Sequence, residues 1–333
     1  MNILVTGGGG FLGGHLARAL KARAEGHEVH TFQRGDYPAL AEAAIIQHRG
    51  DLGCLNEVDK ACMGMDMVFH TAAKAGVWGP FTEYYQTNVV GTQNIVSGCK
   101  HHGVRMLVYT SSPSVIFDGT DEKGVNEKAP YPRNYLSYYS QTKAEAERFV
   151  LGACDDRLRV VALRPHLIWG PGDPHLVPRI LSRSKAGKLK LVGDGSQRVD
   201  STYIDNAVDA HLAAGQALLK KKEFKPRAYF ISNDEPLEMV QLLNKILSAG
   251  GEPPVTKRIS PGKAYLAGWI LESLYRFVGS KKEPIMTRFV ARQLATAHWF
   301  DLSAAKNDLG YQPKVSIDEG MLRLAQWLKD HPL

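Results

Sequence analysis

Short apolar runs alternate with amphipathic stretches through the first half of the chain. Runs rich in β-branched residues predict strands, and apolar positions three and four residues apart predict helices between them. The predicted strands span 2–6, 28–33, 45–49, 67–71, 105–110 and 159–163. The predicted helices span 12–24, 55–62, 81–102 and 138–153. Strands joined through helices run parallel, so this half predicts an α/β fold, a Rossmann-type doubly wound parallel sheet with helices on both faces.

The pattern changes after Arg164, where turn residues crowd together between Trp169 and Pro174. Short strands and helices then mix, which predicts a smaller mixed α/β C-terminal substrate domain. We place the Rossmann-type domain at 1–168 and the second, smaller region at 169–333. Residues 205–219 have the pattern of a sheet-covering helix, so we expect 205–232 to return to the first domain.

Composition narrows the class of protein. The chain has 333 residues, of which 44% are apolar and 23% charged, as in globular enzymes. It begins with a strand rather than a basic leader, and no run of apolar residues is long enough for a bilayer span, so we expect a cytoplasmic protein. The four cysteines match no zinc spacing, and we expect no metal site.

The net charge of +7 bears on partners. Arginine-rich stripes with interleaved aromatic residues are absent from the sequence, so nucleic acid is not expected as a partner. The positive charge instead suits an anionic cofactor, an acidic substrate or a negatively charged membrane surface.

A glycine-rich turn follows the first predicted strand and opens the first helix. Gly7, Gly10 and Gly13 have TGxxGxxG spacing, with Phe11 and Leu12 between the last two. Glycines allow the backbone to approach a pyrophosphate closely, and the helix N-terminus supplies free N–H groups. The turn therefore predicts a dinucleotide site.

The end of the second strand bears on which dinucleotide binds. NAD sites usually place an acid there to hold the ribose 2′-hydroxyl, but this strand ends in Gln33 and Arg34. Arg34 would bind a 2′-phosphate through charge-assisted hydrogen bonds, which favours NADP(H). If Arg34 is only a solvated loop cation, NAD(H) binds as well. Asp51 and Leu52, just after the third strand, are placed to meet the adenine.

Tyr139 and Lys143 form a YxxxK motif on the predicted 138–153 helix, where positions four apart share a face. A nearby ammonium should lower the pKa of the phenol toward working pH and allow proton exchange. Ser112 follows the fifth strand and can hydrogen-bond a substrate oxygen opposite Tyr139. Tyr138 is a rival for the acid/base role, but it has no lysine four residues further on.

The ordered set of motifs resembles the extended short-chain dehydrogenases/reductases. It covers residues 1–175 and comprises the glycine turn, Asp51-Leu52, the 70–73 segment HTAA, the 88–92 segment NVVGT, Ser111-Ser112, the YxxxK motif, Arg164-Pro165 and the 169–172 segment WGPG. The resemblance implies that Tyr139 is the acid/base, that Lys143 holds the nicotinamide ribose, and that Ser112 orients the carbonyl.

The same resemblance implies further site residues. Asn88 would support the helix geometry and an active-site water. The cofactor would also contact Ala72, Ala73, Lys74, Pro165 and Ile168. Substrate contacts are expected at Trp78, Ser114, His166 and Trp169, although His166 is as consistent with a core histidine.

Three further segments resemble the 3β-hydroxysteroid dehydrogenase-like branch: the 73–79 segment AKAGVWG, the region 193–207, and the tail from His298 to Pro313. Within this branch the chain most resembles bacterial 2-alkyl-3-oxoalkanoate reductases of long-chain olefin biosynthesis. The resemblance implies NADP(H)-dependent reduction of a 3-ketone in a long-chain apolar acid, with Tyr139 as proton donor.

Other functions remain open from the sequence. Sterol-4α-carboxylate 3-dehydrogenases of the decarboxylating type are close relatives and would run the chemistry in reverse. Nucleotide-sugar epimerases share the first half of the chain. Dehydratases of that group place an Asp-Glu pair after the strand-five serine, whereas Ser112 is followed by Pro113. A cofactor-sensing protein without activity would tend to lose Tyr139 or Lys143.

Residues 264–278 form a strongly apolar stretch with helical spacing. It is either a helix packed on the second domain or a lid that touches a membrane and admits a lipid-like substrate. Peripheral contact with a membrane or a biosynthetic complex is therefore an expectation alongside the cytoplasmic location. The resemblance also implies a homodimer formed through the 81–102 and 138–153 helices.

Overall fold

A computed structural model describes residues 1–23, 26–220 and 225–332. The large sheet has seven parallel strands in the order β12-β7-β5-β4-β1-β2-β3. These strands are β1 (Asn2–Thr6), β2 (Glu28–Gln33), β3 (Ile46–Arg49), β4 (Met67–His70), β5 (Met106–Thr110), β7 (Arg159–Pro165) and β12 (Ala228–Ile231). The strand order reverses direction between β1 and β4, and at such a point the carboxyl ends of the strands leave a crevice for a ligand.

Helices cover both faces of this sheet, as the alternating sequence pattern predicts. They are α1 (Phe11–Lys21), α2 (Pro38–Glu42), α3 (Leu55–Cys62), α4 (Phe81–Tyr84), α5 (Gly91–His101), α6 (Tyr138–Gly152) and α8 (Ile204–Lys220). Successive residues of β1 point to opposite faces: Ile3 and Val5 belong to the same apolar cluster as Leu212 of α8, whereas Leu4 belongs to the cluster that contains Ile95 of α5. The sheet is therefore buried on both sides.

The rest of the chain builds smaller sheets and a second group of helices. The additional strands are β6 (Glu122–Val125), β8 (Ile168–Trp169), β9 (Leu191–Val192), β10 (Arg198–Val199), β11 (Thr202–Tyr203), β13 (Leu237–Glu238), β14 (Arg258–Ile259) and β15 (His298–Phe300). They pair as β13-β10-β15-β6, β11-β8 and β14-β9. The helices are α7 (Leu176–Lys185), α9 (Met239–Ala249), α10 (Pro261–Phe277), α11 (Arg288–Ala295) and α12 (Ile317–Asp330).

The two regions exchange elements. β12 from the second half of the chain adds the outer strand of the large sheet beside β7, and α8 packs on the same sheet. Conversely, β6 from the first half pairs with β15 in the four-stranded sheet. The second region has its own apolar core around Trp169, Leu242 and Leu324. Segments of the second region are therefore held directly against the large sheet.

Several predicted elements differ in their bounds. The predicted 81–102 helix is divided, because a π-helical segment at Tyr85–Val90 separates α4 from α5. Helix α11 begins at Arg288, where the Thr287 hydroxyl accepts a hydrogen bond from the Val290 N–H and caps it. The predicted 12–24 helix ends at Lys21, and Ala24 lies outside the described residues. Among the described residues, no helix is long and apolar enough to cross a membrane.

A buried ion pair fastens α6 to the sheet. Arg164 of β7 donates two hydrogen bonds to Glu147 of α6, of 2.9 Å from Nε and 2.6 Å from Nη2. The Tyr131 hydroxyl donates a third, of 2.6 Å. Burial raises the pKa of Glu147, but the hydrogen bonds and charge of Arg164, together with hydrogen bonds from Ser111 and Tyr131, outweigh this effect and the pKa is lowered. The carboxylate therefore stays charged inside the protein.

We predict that Glu147→Ala lowers the free energy of unfolding by about 3–5 kcal/mol, because it leaves the Arg164 charge buried without a partner. Chemical denaturation measures this change. Glu145→Ala on the same helix is the matched control, and at this partly exposed position we expect a change within about 0.5 kcal/mol. Equal midpoints for wild type and Glu147→Ala would contradict the prediction.

Candidate active site

The glycine turn lies at the carboxyl end of β1 and leads into α1. Gly7 has a φ of +73°, which favours glycine, and its carbonyl accepts a 2.8 Å hydrogen bond from the Gly10 N–H. A Cβ added at Gly13 would lie 2.2 Å from the Gly7 carbonyl oxygen. Only a glycine fits there, so the turn brings the first N–H groups of α1 up against the crevice. This arrangement fits a pyrophosphate.

The end of β2 forms one end of the same crevice. Arg34 is exposed, lines the crevice, and makes no hydrogen bond or ion pair among the described residues. Asp36, the nearest acid in sequence, pairs with Arg49 at 3.6 Å. The Tyr37 ring lies so close to Gly9 that a Cβ there would be 2.0 Å from it. Sequence reasoning missed Tyr37, since a lone exposed tyrosine carries no motif.

Asp51 and Leu52 lie next to this end, after β3, as expected from the sequence. Asp51 is held by a 2.7 Å hydrogen bond from its N–H to Glu57, and its carboxylate accepts one of 2.8 Å from the Gly53 N–H. Both Asp51 and Leu52 line the crevice. The position fits an adenine ring.

The three proposed reacting side chains come from two elements. Tyr139 and Lys143 lie in the first turns of α6, which begins where the Ser137 side chain accepts a hydrogen bond from the Ser140 N–H. Ser112 follows β5. The Lys143 ammonium donates a 2.6 Å hydrogen bond to the Thr110 carbonyl oxygen at the end of β5. This hydrogen bond joins the end of β5 to α6, and all three side chains line the crevice.

The protonation of this group differs from the expectation. Burial raises the pKa of Tyr139, and a hydrogen bond with Ser112 only partly opposes this effect. Burial lowers the pKa of Lys143 to about 7, with the Glu147 carboxylate acting in the opposite direction. The predicted lowering of the Tyr139 pKa is wrong for this structure, because the effect of burial dominates. Tyr139 therefore holds its proton at neutral pH.

Asn88 lies in the π-helical segment between α4 and α5 and is not among the residues that line the crevice. Its side-chain oxygen accepts a 2.7 Å hydrogen bond from the Lys74 N–H. Its amide donates to the Lys74 carbonyl at 3.2 Å and to the Thr142 hydroxyl at 3.1 Å. It ties the loop after β4 to α6, which agrees with a supporting role.

The crevice has a volume of about 540 Å³, within the usual range for ligand sites. The predicted residues that line it are Gly7, Gly10, Phe11, Leu12, Gly13, Arg34, Asp51, Leu52, Ala72, Ala73, Ser112, Tyr139, Lys143, Pro165 and Ile168. Leu167 and His175 also line it and were not predicted. A glycine cradle, a free cation at one end and a proton-transfer group at the other together fit a nicotinamide dinucleotide.

Three predicted substrate contacts lie elsewhere. Trp169 is fully buried in the second core and donates a 3.0 Å hydrogen bond to the Ser201 hydroxyl. His166 is buried, and burial lowers its pKa to about 3, so its neutral ring donates to the Asp200 carbonyl oxygen at 2.7 Å. The substrate contact predicted for Trp169 is wrong, and His166 is the core histidine that the sequence also allowed, because the second region packs over this end of β7. Ser114 is also buried, with its hydroxyl 3.0 Å from that of Ser112, and it supports Ser112 instead.

A second cavity, of about 630 Å³, lies beside the crevice at the start of α6. The sequence predicts that Lys74 lines the crevice. It lines the second cavity instead, because its ammonium pairs with Glu83 at 2.9 Å. Trp78 also lines it and donates a 3.0 Å hydrogen bond to the Ser280 carbonyl oxygen. The aromatic residues in the wall are Trp78, Phe81, Tyr135, Tyr138, Tyr275 and Phe289.

Metal-ligating side chains converge at one place within the described parts of the chain. Asp59 of α3 lies beside His101 and His102 at the end of α5, and none of the three lines either cavity. The Asp59 carboxylate is 2.7 Å from His101 Nδ1 and 3.0 Å from His102 Nε2. Contact of both rings with one carboxylate accounts for this arrangement.

Comparison with known proteins agrees with the geometry. The family model of the 3-beta hydroxysteroid dehydrogenase/isomerase family matches residues 4–258. The 2-alkyl-3-oxoalkanoate reductase of Stenotrophomonas maltophilia is 50% identical over 326 residues, covering 97% of this chain and 98% of that protein. Human sterol-4-alpha-carboxylate 3-dehydrogenase, decarboxylating, is 35% identical over 336 residues, covering 97% and 87%.

Among solved structures, MoeE5 in complex with UDP-glucose and NAD is 26% identical and covers 99% of both chains, with a TM-score of 0.75. The sequence motifs, the seven-stranded sheet and these similarities agree. The chain belongs to the 3-beta hydroxysteroid dehydrogenase/isomerase family and is an NAD(P)-dependent oxidoreductase of the extended short-chain dehydrogenase/reductase type.

Proposed function

We propose that this enzyme reduces the 3-ketone of a long-chain 2-alkyl-3-oxoalkanoic acid to the 3-hydroxy acid, with NADP(H) as the preferred cofactor. The observation that carries the proposal is the position of Tyr139. Its side chain lines the dinucleotide crevice, and its neighbours Ser137 and Tyr138 line the second cavity. The name of the Stenotrophomonas maltophilia relative supports this substrate class.

The chain's own residues provide the proton and the orientation. Ser112 and Tyr139 can both donate hydrogen bonds to a ketone oxygen, which places that oxygen between them. Tyr139 then transfers its proton as negative charge develops on the oxygen, and Lys143 stabilises the phenolate that remains. The nicotinamide, when bound, supplies the hydride. A phenol that holds its proton at neutral pH suits reduction better than oxidation.

The second cavity has the features expected of a site for an apolar acid. Its aromatic wall suits alkyl chains. Its charged lining residues are the cations Lys74, Arg276, Lys281 and Arg288 and the acids Glu83 and Glu272. Lys74 pairs with Glu83, and Arg288 pairs with Glu272 at 2.8 Å. The excess of positive charge favours a carboxylate, and Lys281 makes no ion pair among the described residues.

The human relative favours a second candidate, oxidation of a 3β-hydroxysteroid whose neighbouring carbon bears a carboxylate. A substrate panel separates the two. Each cofactor is paired with a 2-alkyl-3-oxo acid, a sterol-4α-carboxylate and a nucleotide sugar, and the nicotinamide absorbance is followed. We expect fastest turnover with NADPH and the oxo acid. Faster turnover of the sterol acid with NAD, with release of carbon dioxide, would favour the alternative.

Tyr139→Phe tests the acid/base assignment. Loss of the phenolic proton donor should lower kcat by about 100- to 10,000-fold, the usual contribution of a general acid. Cofactor binding, followed by fluorescence, should change little. Tyr138→Phe removes the same hydroxyl one residue away, and a larger loss of kcat there would overturn the assignment.

Arg34→Ala tests the cofactor preference. Loss of charge-assisted hydrogen bonds to a 2′-phosphate should raise the KM for NADPH by about 10- to 100-fold. NADH, which lacks that phosphate, is the internal control, and its KM should stay nearly constant. If both KM values change equally, Arg34 does not select the cofactor.

The pH dependence follows from Lys143. Lysine is charged below its pKa, which burial lowers to about 7 in the cofactor-free protein. We therefore expect kcat/KM for NADPH, which reports the free enzyme, to fall as the pH rises above about 7. Lys143→Arg keeps a charge throughout, because guanidinium does not lose its proton in proteins, and its residual activity should lack this decline. The same decline in the variant would assign the titration to another group.

A further inference from the structure

Helix α10 (Pro261–Phe277) has its large apolar side chains on the side away from the protein. Its buried residues are Ala264, Gly268 and Glu272, which recur every four residues on one face. A Cβ at Gly268 would lie 2.6 Å from the backbone of Thr287, so this face packs directly against the start of α11. Two small residues and an acid therefore make the contact that large apolar side chains make in most surface helices.

The opposite face of α10 carries an apolar stripe. Leu266, Trp269, Ile270, Leu274 and Phe277 follow helical spacing and are all at least half exposed, from 50% for Ile270 to 89% for Phe277. Val278, directly after the helix, is 61% exposed. Five large apolar side chains on one exposed face of a helix mark an interaction surface.

Basic residues lie at both ends of this apolar stripe. Lys263 lies near the start of α10 and Arg276 near its end, and Lys281 and Lys282 follow the helix; all four are exposed. The acid within α10, Glu272, is buried, accepts hydrogen bonds from the Arg288 N–H and side chain, and pairs with Arg276 at 3.7 Å. Lys281 and Lys282 make no side-chain ion pair among the described residues.

We propose that the apolar stripe and these cations dock α10 on the surface of an anionic lipid bilayer, parallel to its plane. An apolar face with a tryptophan and a basic border is the pattern of helices that lie in the membrane interface. A second copy of the chain fits less well, since a symmetric contact would bring each set of cations against its own equivalent.

The position of α10 connects the proposed membrane contact with the second cavity. Tyr275 and Arg276 of α10 line the second cavity, as do Gly279, Ser280 and Lys281 directly after it. The helix that would lie on the bilayer is therefore also a wall of that cavity. A long-chain molecule could pass between bilayer and cavity without crossing water. This use rests on the proposed function, whereas the docking itself does not.

Vesicle co-sedimentation of the full chain tests the docking without any measurement of turnover. Wild type should sediment with phosphatidylcholine vesicles that contain phosphatidylglycerol and much less with phosphatidylcholine alone. Leu274→Glu/Phe277→Glu should remain in the supernatant. Leu322→Glu is the matched control, since Leu322 is 73% exposed on α12, and it should sediment like wild type. Lys281→Ala and Lys282→Ala should each weaken binding roughly five-fold, the weight of one basic residue near an anionic surface.

Wild type that stays in the supernatant with both vesicles would overturn the proposal, as would a stripe variant that sediments equally well. Analytical ultracentrifugation without lipid tests the competing possibility that the stripe joins two copies of the chain. If wild type self-associates, Leu274→Glu/Phe277→Glu does not, and vesicles bind neither, the stripe is an interface between copies instead. Circular dichroism should show unchanged helix content in every variant, because the substituted residues are exposed.

Discussion

The position of α6 relative to the sheet depends on the ion pair between Arg164 and Glu147. The pair joins β7 to the middle of α6, one turn after Lys143. Lys143 itself donates to the Thr110 carbonyl oxygen at the end of β5, so two buried contacts fix one helix on adjacent strands. Because Tyr139 lies a turn earlier on this helix, its distance from Ser112 follows from these contacts.

Burial of this group has a chemical consequence. Removing water raises the pKa of Tyr139 and lowers that of Lys143, so both groups move toward their neutral forms. Glu147 limits the change at Lys143, which means that the residue holding α6 in place also favours the charged form of Lys143. Structural support and electrostatic tuning are thus provided by the same carboxylate.

The two cavities differ in the groups that line them. The crevice is built from backbone at the strand ends, where glycines allow a close approach. The second cavity is built from aromatic and charged side chains of the loop after β4, the start of α6 and the end of α10. Trp78 and Tyr275 contact across it, with their rings 6.2 Å apart. Its shape therefore depends on α10, which packs through small residues and has little apolar anchorage.

The sequence by itself determined the parallel sheet, the glycine turn and the Tyr139–Lys143 pair. Each is a local pattern: strand and helix periodicity differ, glycines have no Cβ, and positions four apart share a helix face. Short strands such as Thr202–Tyr203 had no periodicity to detect. The tertiary structure alone decided that Trp169 and His166 are core residues, that Lys74 faces the second cavity, and that burial raises the pKa of Tyr139. The burial of a side chain and the direction in which it points depend on neighbours distant in sequence, and no local pattern specifies them.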